Sequence, residues 1–135
     1  MSQENAEIVR QMLLASSDGD PMAGAAYFDP AIVWDLSGVV GWPERPLYRG
    51  MEEVEPFLRA WVAAFAEWHF DVVEVRPAND GRVFAAIHEW GIGAGSGARV
   101  DQYRYSACRV HAGRTVEVRL FSDRSAALRA LGLEE

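Results

Sequence analysis

The sequence contains no lysine: all 13 basic residues are arginine, and 20 acidic residues outnumber them to give a net charge of −7. Nucleic acids and anionic membranes are recognised by clustered positive charge, so this balance argues against either partner. The one cysteine, Cys108, excludes an intramolecular disulfide and favours a reducing compartment, the cytoplasm. The chain also lacks the signal-peptide pattern and any apolar run near the ~20 residues of a membrane-spanning helix.

Metal and nucleotide motifs are also missing. The three histidines, His69, His88 and His111, show no paired ligand spacing, so no metal or other cofactor is expected. The segment GIGAGSG joins two predicted strands and opens no helix, so it is not a dinucleotide-binding fingerprint.

Apolar residues, in contrast, are plentiful: half of the 135 residues are hydrophobic, and five are tryptophan. This length and composition predict one domain, residues 1–135, with a single core and enough apolar surface to line a cavity.

Hydrophobic spacing predicts a helix over Asn5–Ser16, a short one over Pro21–Tyr27 and a strand over Ala31–Leu36. A Gly/Pro-rich loop follows, and then a third helix with one broad apolar face, made of Phe57, Leu58, Trp61, Val62, Phe65 and Trp68.

The second half predicts four antiparallel strands joined by short turns: Phe70–Arg76, Arg82–Trp90, Arg99–Val110 and Arg114–Phe121. Ser122 or Asp123 can cap a closing helix that runs through Leu131 and stops at Gly132. Three helices ahead of such a meander exclude a doubly wound parallel sheet. They predict an α+β domain whose helices cover one face of a curved sheet and enclose a cavity.

Four segments, in this order and spacing, resemble one known family: YFDPAIVWDLSG, YRGMEEVEPFLRAWVAAF, HEWGIGAGSGARVD and AGRTVEVRLFSDRSAALRALGL. The chain is similar to the SnoaL-like (polyketide cyclase-like) branch of the nuclear transport factor 2-like, or ketosteroid-isomerase-like, superfamily. The resemblance implies a cystatin-like cone, in which a curved mixed or antiparallel sheet wraps around N-terminal helices and a central pocket. It names no activity, because this scaffold hosts isomerases, cyclases, dehydratases, epoxide hydrolases and plain binding proteins.

The resemblance also implies a homodimer through the outer face of the sheet. The last two strands would present a mixture of aromatic and charged residues there, which suits an interface: Tyr103, Tyr105, Arg109, Glu117, Arg119 and Phe121. An ordinary solvated sheet face is the alternative.

Asp35 is the first candidate for catalysis. A carboxylate within an apolar strand is costly to bury unless it is paired or used, and in ketosteroid-isomerase relatives a strand reading like AIVWD places a proton-shuttling aspartate in the cavity. Alternatively, Asp35 pairs with an arginine or caps the following loop.

His88 and Glu89 form a second polar cluster, and the alternation of a strand lets only one of them face inward. Either could pair with Asp35 or Arg104 as an acid–base partner. Alternatively, Glu89 forms an ordinary salt bridge with an arginine and His88 is exposed. Arg104 and Ser106 share one face of their strand, and the family register implies that this face points inward. There Arg104 could anchor a substrate carboxylate or neutralise Asp35.

The isomerase pattern itself is incomplete. By the family register, the oxyanion-donating tyrosine falls on Met12 and the protonated acid falls near Ser106, so steroid isomerase activity is not expected. The acid that cyclases and epoxide hydrolases carry on the last strand falls on Leu120, and Asp123 reads as a helix cap.

The remaining substrate-binding candidates are apolar: Trp42, Phe57, Trp61, Phe65, Val118 and Leu120. Trp42 lies in the Gly/Pro loop and is a candidate lid. Two functions stay open. One is a cofactor-independent isomerase, cyclase or hydratase, and the other is a non-catalytic domain that holds a small apolar molecule.

Overall fold

The computed structural model describes residues 2–134. It contains three α-helices, α1 (Ser2–Ser16), α2 (Met51–Ala63) and α3 (Arg124–Ala130), and a 3-10 helix over Ala23–Tyr27. The six strands are β1 (Phe28–Gly38), β2 (Leu47–Arg49), β3 (Phe65–Pro77), β4 (Arg82–Gly93), β5 (Arg99–His111) and β6 (Arg114–Phe121).

The strands form one mixed sheet in the order β2-β1-β6-β5-β4-β3. The four strands β3 to β6 make the predicted antiparallel meander, and β1 joins its free edge by pairing parallel to β6. The α+β cone with a curved mixed sheet is therefore confirmed. The strand β2 was not predicted, because it is only three residues long and lies in the Gly/Pro-rich loop.

The predicted third helix is shorter than expected, and this corrects the placement of Phe65 and Trp68. The helix α2 ends at Ala63, and both aromatic residues lie on β3. Helical spacing from Trp61 continues through these two positions, so the apolar pattern alone extends too far. The helix stops where Ala64 turns and its carbonyl accepts a hydrogen bond from Ala94 N.

Apolar residues pack on both faces of the sheet. On the concave face, α1 and α2 cover a core that includes Val9, Met12, Ile32 and Val54. On the convex face, α3 covers a second cluster around Phe84. Phe121, one of the residues expected on an exposed dimer interface, is instead buried beneath α3.

Irregular pairing in β3 accompanies the curvature of the sheet. The β3–β4 register shifts between Phe65 and Glu67, where the two backbones approach closely. A Cβ atom on Gly91 of β4 would collide with the carbonyl oxygen of Glu67, so only glycine fits there.

The closing helix begins and ends as its sequence predicts. The side chain of Asp123 accepts a hydrogen bond from Ala126 N at 3.0 Å, and Gly132 has a φ of 70°. Within residues 2–134, no helix is both long enough and apolar enough to cross a membrane.

Candidate ligand-binding pocket

A cavity of about 120 Å³ lies between the two large helices and the concave face of the sheet. Alternate residues of the strands point into it, so the sheet supplies side chains from β1, β3, β4, β5 and β6. Its apolar lining includes Met12, Leu13, Pro21, Phe28, Trp34, Phe57, Leu58, Trp61, Val62, Trp68, Phe70, Ile87, Tyr105, Val118 and Leu120.

The polar end of the cavity is built on Glu89, which β4 points inward and which is only 1% exposed. One carboxylate oxygen, Oε2, accepts hydrogen bonds from Trp61 Nε1 at 2.9 Å and Trp68 Nε1 at 2.7 Å. The other, Oε1, accepts from Gln102 Nε2 at 2.6 Å and Arg104 Nε at 3.0 Å. Donors from α2, β3 and β5 therefore meet on a single carboxylate.

These contacts keep Glu89 ionised. Burial alone raises the pKa of a carboxyl group, but the positive charge of Arg104 and the three further hydrogen bonds outweigh it. The net result is that the pKa of Glu89 lies below its ordinary value. A carboxylate in this state is a weak proton acceptor, and its lone pairs are already engaged by protein donors.

Arg104 extends from Glu89 along the cavity wall. Its guanidinium lies 4.2 Å from the centre of the Trp61 ring, a cation–π contact, and its side chain is 14% exposed. While Nε donates to Glu89, the two terminal nitrogens meet no hydrogen-bond acceptor anywhere in the part of the chain that the structure describes. Arg104 therefore retains unused donors at the cavity.

Two small polar side chains complete the lining near Arg104. Ser106 is buried, and its hydroxyl accepts a weak hydrogen bond from the Cys108 thiol at 3.8 Å. Burial raises the pKa of Cys108 to about 12. This thiol is a packing residue and not a nucleophile at neutral pH.

Seven of the predicted site residues line this cavity together: Phe57, Trp61, Glu89, Arg104, Ser106, Val118 and Leu120. Four others do not line it, namely Asp35, His88, Trp42 and Phe65.

Asp35 points away from the cavity, contrary to the expectation that it faces the pocket. In β1, alternation turns Trp34 inward and Asp35 outward. One Asp35 oxygen accepts from Ser37 N at 2.8 Å, and the other lies 3.6 Å from Arg119 Nε. These contacts match the alternative interpretation, in which Asp35 pairs with an arginine or caps the following loop.

His88 also lies on the outer face, because its neighbour Glu89 takes the inward position. Its Nε2 is 2.7 Å from Asp101 Oδ1, and its ring stacks on Trp90 and Tyr103. The expected acid–base pairing of His88 with a pocket group is therefore not formed.

Trp42 and Phe65 support the pocket wall from behind. The Trp42 ring stacks on Trp61 at 5.7 Å between centroids and meets Phe57 edge-on at 6.1 Å. The Phe65 ring is tilted against that of Trp61, with 6.4 Å between the centroids. Both residues thus fix the orientation of Trp61 without reaching the cavity themselves.

The sequence analysis missed two of the hydrogen-bond donors to Glu89, namely Trp68 and Gln102. Gln102 could have been found, since it shares the inward face of β5 with Arg104 and Ser106 and lies opposite Glu89 in the β4–β5 register. Trp68 was assigned to a helix, so its indole could not be directed at β4.

Within residues 2–134, no group of histidine, cysteine or acidic side chains is arranged to hold a metal ion.

Comparison with known proteins identifies the family to which the chain belongs. The model of the SnoaL-like domain matches residues 9–118, and the chain belongs to this family. No curated protein matches the sequence.

Solved structures share the fold over nearly the whole chain. A protein with a cystatin-like fold from Xanthomonas campestris is 21% identical, with a TM-score of 0.74 and coverage of 96% of this chain and 98% of its own. A putative SnoaL-like polyketide cyclase from Jannaschia sp. CCS1 is 18% identical, with a TM-score of 0.72 and coverage of 99% and 95%. TerC, co-crystallised with polyporic acid, is 14% identical, with a TM-score of 0.73 and coverage of 95% and 97%.

Proposed function

We propose that the protein binds a small, mostly apolar organic molecule in the cavity between the helices and the sheet. The observation that carries this proposal is an apolar cavity of about 120 Å³ with one buried ionic cluster at its end. Ligand sites in proteins have this composition, and the volume is of the same order as that of a cavity of roughly 150 Å³ that binds benzene. TerC, which shares the fold, was co-crystallised with polyporic acid.

Binding is favoured over acid–base catalysis because the cavity offers no free base. Asp35 and His88 lie outside it, and Glu89 is ionised and accepts four hydrogen bonds. An isomerase, cyclase or hydratase that used Glu89 would have to displace one of these donors first.

The experiment that tests binding uses toluene as the probe and the tryptophan indole NMR signals as the readout. Toluene should shift the indole N–H signals of Trp61 and Trp68, which line the cavity. Replacing Leu120 by tryptophan should fill the cavity and abolish the shift. Val73→Trp is the matched control, because Val73 is 53% exposed and lies outside the cavity lining. Unshifted wild-type signals at saturating toluene, or equal shifts in both variants, would contradict the proposal.

We further propose that two copies associate through the convex face of the sheet beside α3. The support is a row of stacked rings on this face, His69, Trp90, His88 and Tyr103, of which Tyr103 is 53% exposed. Sedimentation equilibrium should give a dimer, and Tyr103→Glu should give a monomer. A wild-type monomer at high concentration would refute the dimer.

The buried reduced Cys108 supports a cytoplasmic location.

A further inference from the structure

We infer that the ligand of this cavity is a small organic anion, with a carboxylate or an equivalent oxyanion at one end and an apolar body of about one ring. This inference rests on the proposed function and names the chemical class of the ligand. It depends on Arg104 and on the chemistry of the groups around it.

Arg104 has more hydrogen-bond donors than the protein satisfies. Its side chain is largely buried, and only Nε has a partner, the Oε1 atom of Glu89. The N–H groups on its terminal nitrogens find no protein acceptor within residues 2–134, and they are not fully enclosed, since the side chain keeps 14% exposure. These donors are therefore left for water or for the polar group of a bound ligand.

The position of the guanidinium favours an anion in particular. The bond from Nε to Glu89 and the stacking on Trp61 fix its plane, and they leave the edge with the two terminal nitrogens available. A planar fork of parallel N–H donors matches the two oxygens of a carboxylate. Glu89 does not cancel this attraction fully, because its charge is shared with Trp61, Trp68 and Gln102.

The other lining groups argue against cationic ligands. Both oxygens of Glu89 are engaged, so a ligand cation would find no free carboxylate at this end of the cavity. The Ser16 hydroxyl already bonds to Pro21 O and Gly24 N. The rest of the lining is mostly apolar and of limited volume, which sets the size and the hydrophobic character of the ligand body.

The test compares three probes of similar shape at neutral pH: benzoate, benzamide and toluene. Calorimetry and the indole signals of Trp61 and Trp68 should show benzoate binding at least about tenfold tighter than benzamide, as expected for charge-assisted hydrogen bonds. Equal or weaker binding of benzoate, with toluene still bound, would overturn this inference and leave the proposed function standing. Binding of none of the three would overturn both.

A paired variant assigns the effect to Arg104. Removing Arg104 alone strands a buried carboxylate and risks misfolding, so Arg104→Met is combined with Glu89→Gln, which removes both charges. The preference for benzoate should vanish in this double variant and persist in Arg119→Met, whose arginine pairs with Asp35 on the outer face. A preference retained by the folded double variant would refute the role of Arg104.

Discussion

Replacing Arg104 alone should destabilise the protein more than replacing Arg104 and Glu89 together. In Arg104→Met, the carboxylate of Glu89 stays almost fully buried but loses its counter-charge. Stranding a buried charge in this way costs about 3–5 kcal/mol of unfolding free energy. Three donors remain on Glu89, from Trp61, Trp68 and Gln102, so we expect a loss near the lower limit, about 3 kcal/mol.

The double variant Arg104→Met/Glu89→Gln should lose only about 1 kcal/mol, because it buries no unpaired charge and the new amide oxygen can still accept from an indole. Urea unfolding followed by tryptophan fluorescence measures all three free energies, together with that of Glu89→Gln, in one cycle.

Acid should rescue the single variant in part. With the charge of Arg104 gone, the pKa of Glu89 rises relative to wild type, so the cost is present when the carboxyl is ionised and is relieved as the pH falls. The deficit of Arg104→Met relative to wild type should therefore shrink between neutral and mildly acidic pH. A single variant within about 1 kcal/mol of wild type, or a double variant as unstable as the single, would refute the account of the buried pair.

Four further predictions concern acid, thiol, cap and packing. Because the pKa of Glu89 is lowered in the folded state, the stability that its ionisation contributes is complete above its ordinary pKa and is lost as the pH falls through the folded value. Urea titrations at a series of pH values should show this loss of unfolding free energy in wild type and not in Glu89→Gln. Cys108, with its pKa of about 12, should react with Ellman's reagent far more slowly in the folded than in the urea-unfolded protein, and comparable rates would show that it is accessible. Asp123→Ala should lower the free energy of unfolding in urea by about 1 kcal/mol, whereas Asp123→Asn, which keeps a capping oxygen, should lower it much less. Equal stability of the two variants would show that the cap is unimportant. Gly91→Ala should lower the unfolding midpoint, because the added Cβ meets the Glu67 carbonyl oxygen, and an unchanged midpoint would mean that the backbones can separate there.

The sequence predicted the meander and the closing helix because their signals are local. Alternation and short turns define β4, β5 and β6, and Asp123 and Gly132 mark the ends of α3. The end of α2 could not be read in this way. Phe65 and Trp68 continue the helical spacing of Trp61, and the pairing of β3 with β4 decides their conformation.

The candidate site was predicted only in part, for a related reason. In AIVWDL, the alternation of the larger apolar residues Ile32, Trp34 and Leu36 indicates that Asp35 points outward. The family resemblance, in contrast, predicted Asp35 inside the cavity. The pairing of Glu89 with Arg104 was among the predicted alternatives, but its two indole donors were not, because Trp61 and Trp68 come from α2 and β3. Their convergence is a property of the tertiary structure.

The parallel pairing of β1 with β6 has a consequence for biosynthesis. Trp34 pairs with Val118, so the first strand has its main neighbour far along the chain. During translation, β1 leaves the ribosome long before β6 exists, and its edge stays unpaired on that side until β6 has been synthesised. Such distant contacts slow folding, and a nascent chain that stalls before β6 would expose a strand edge to aggregation.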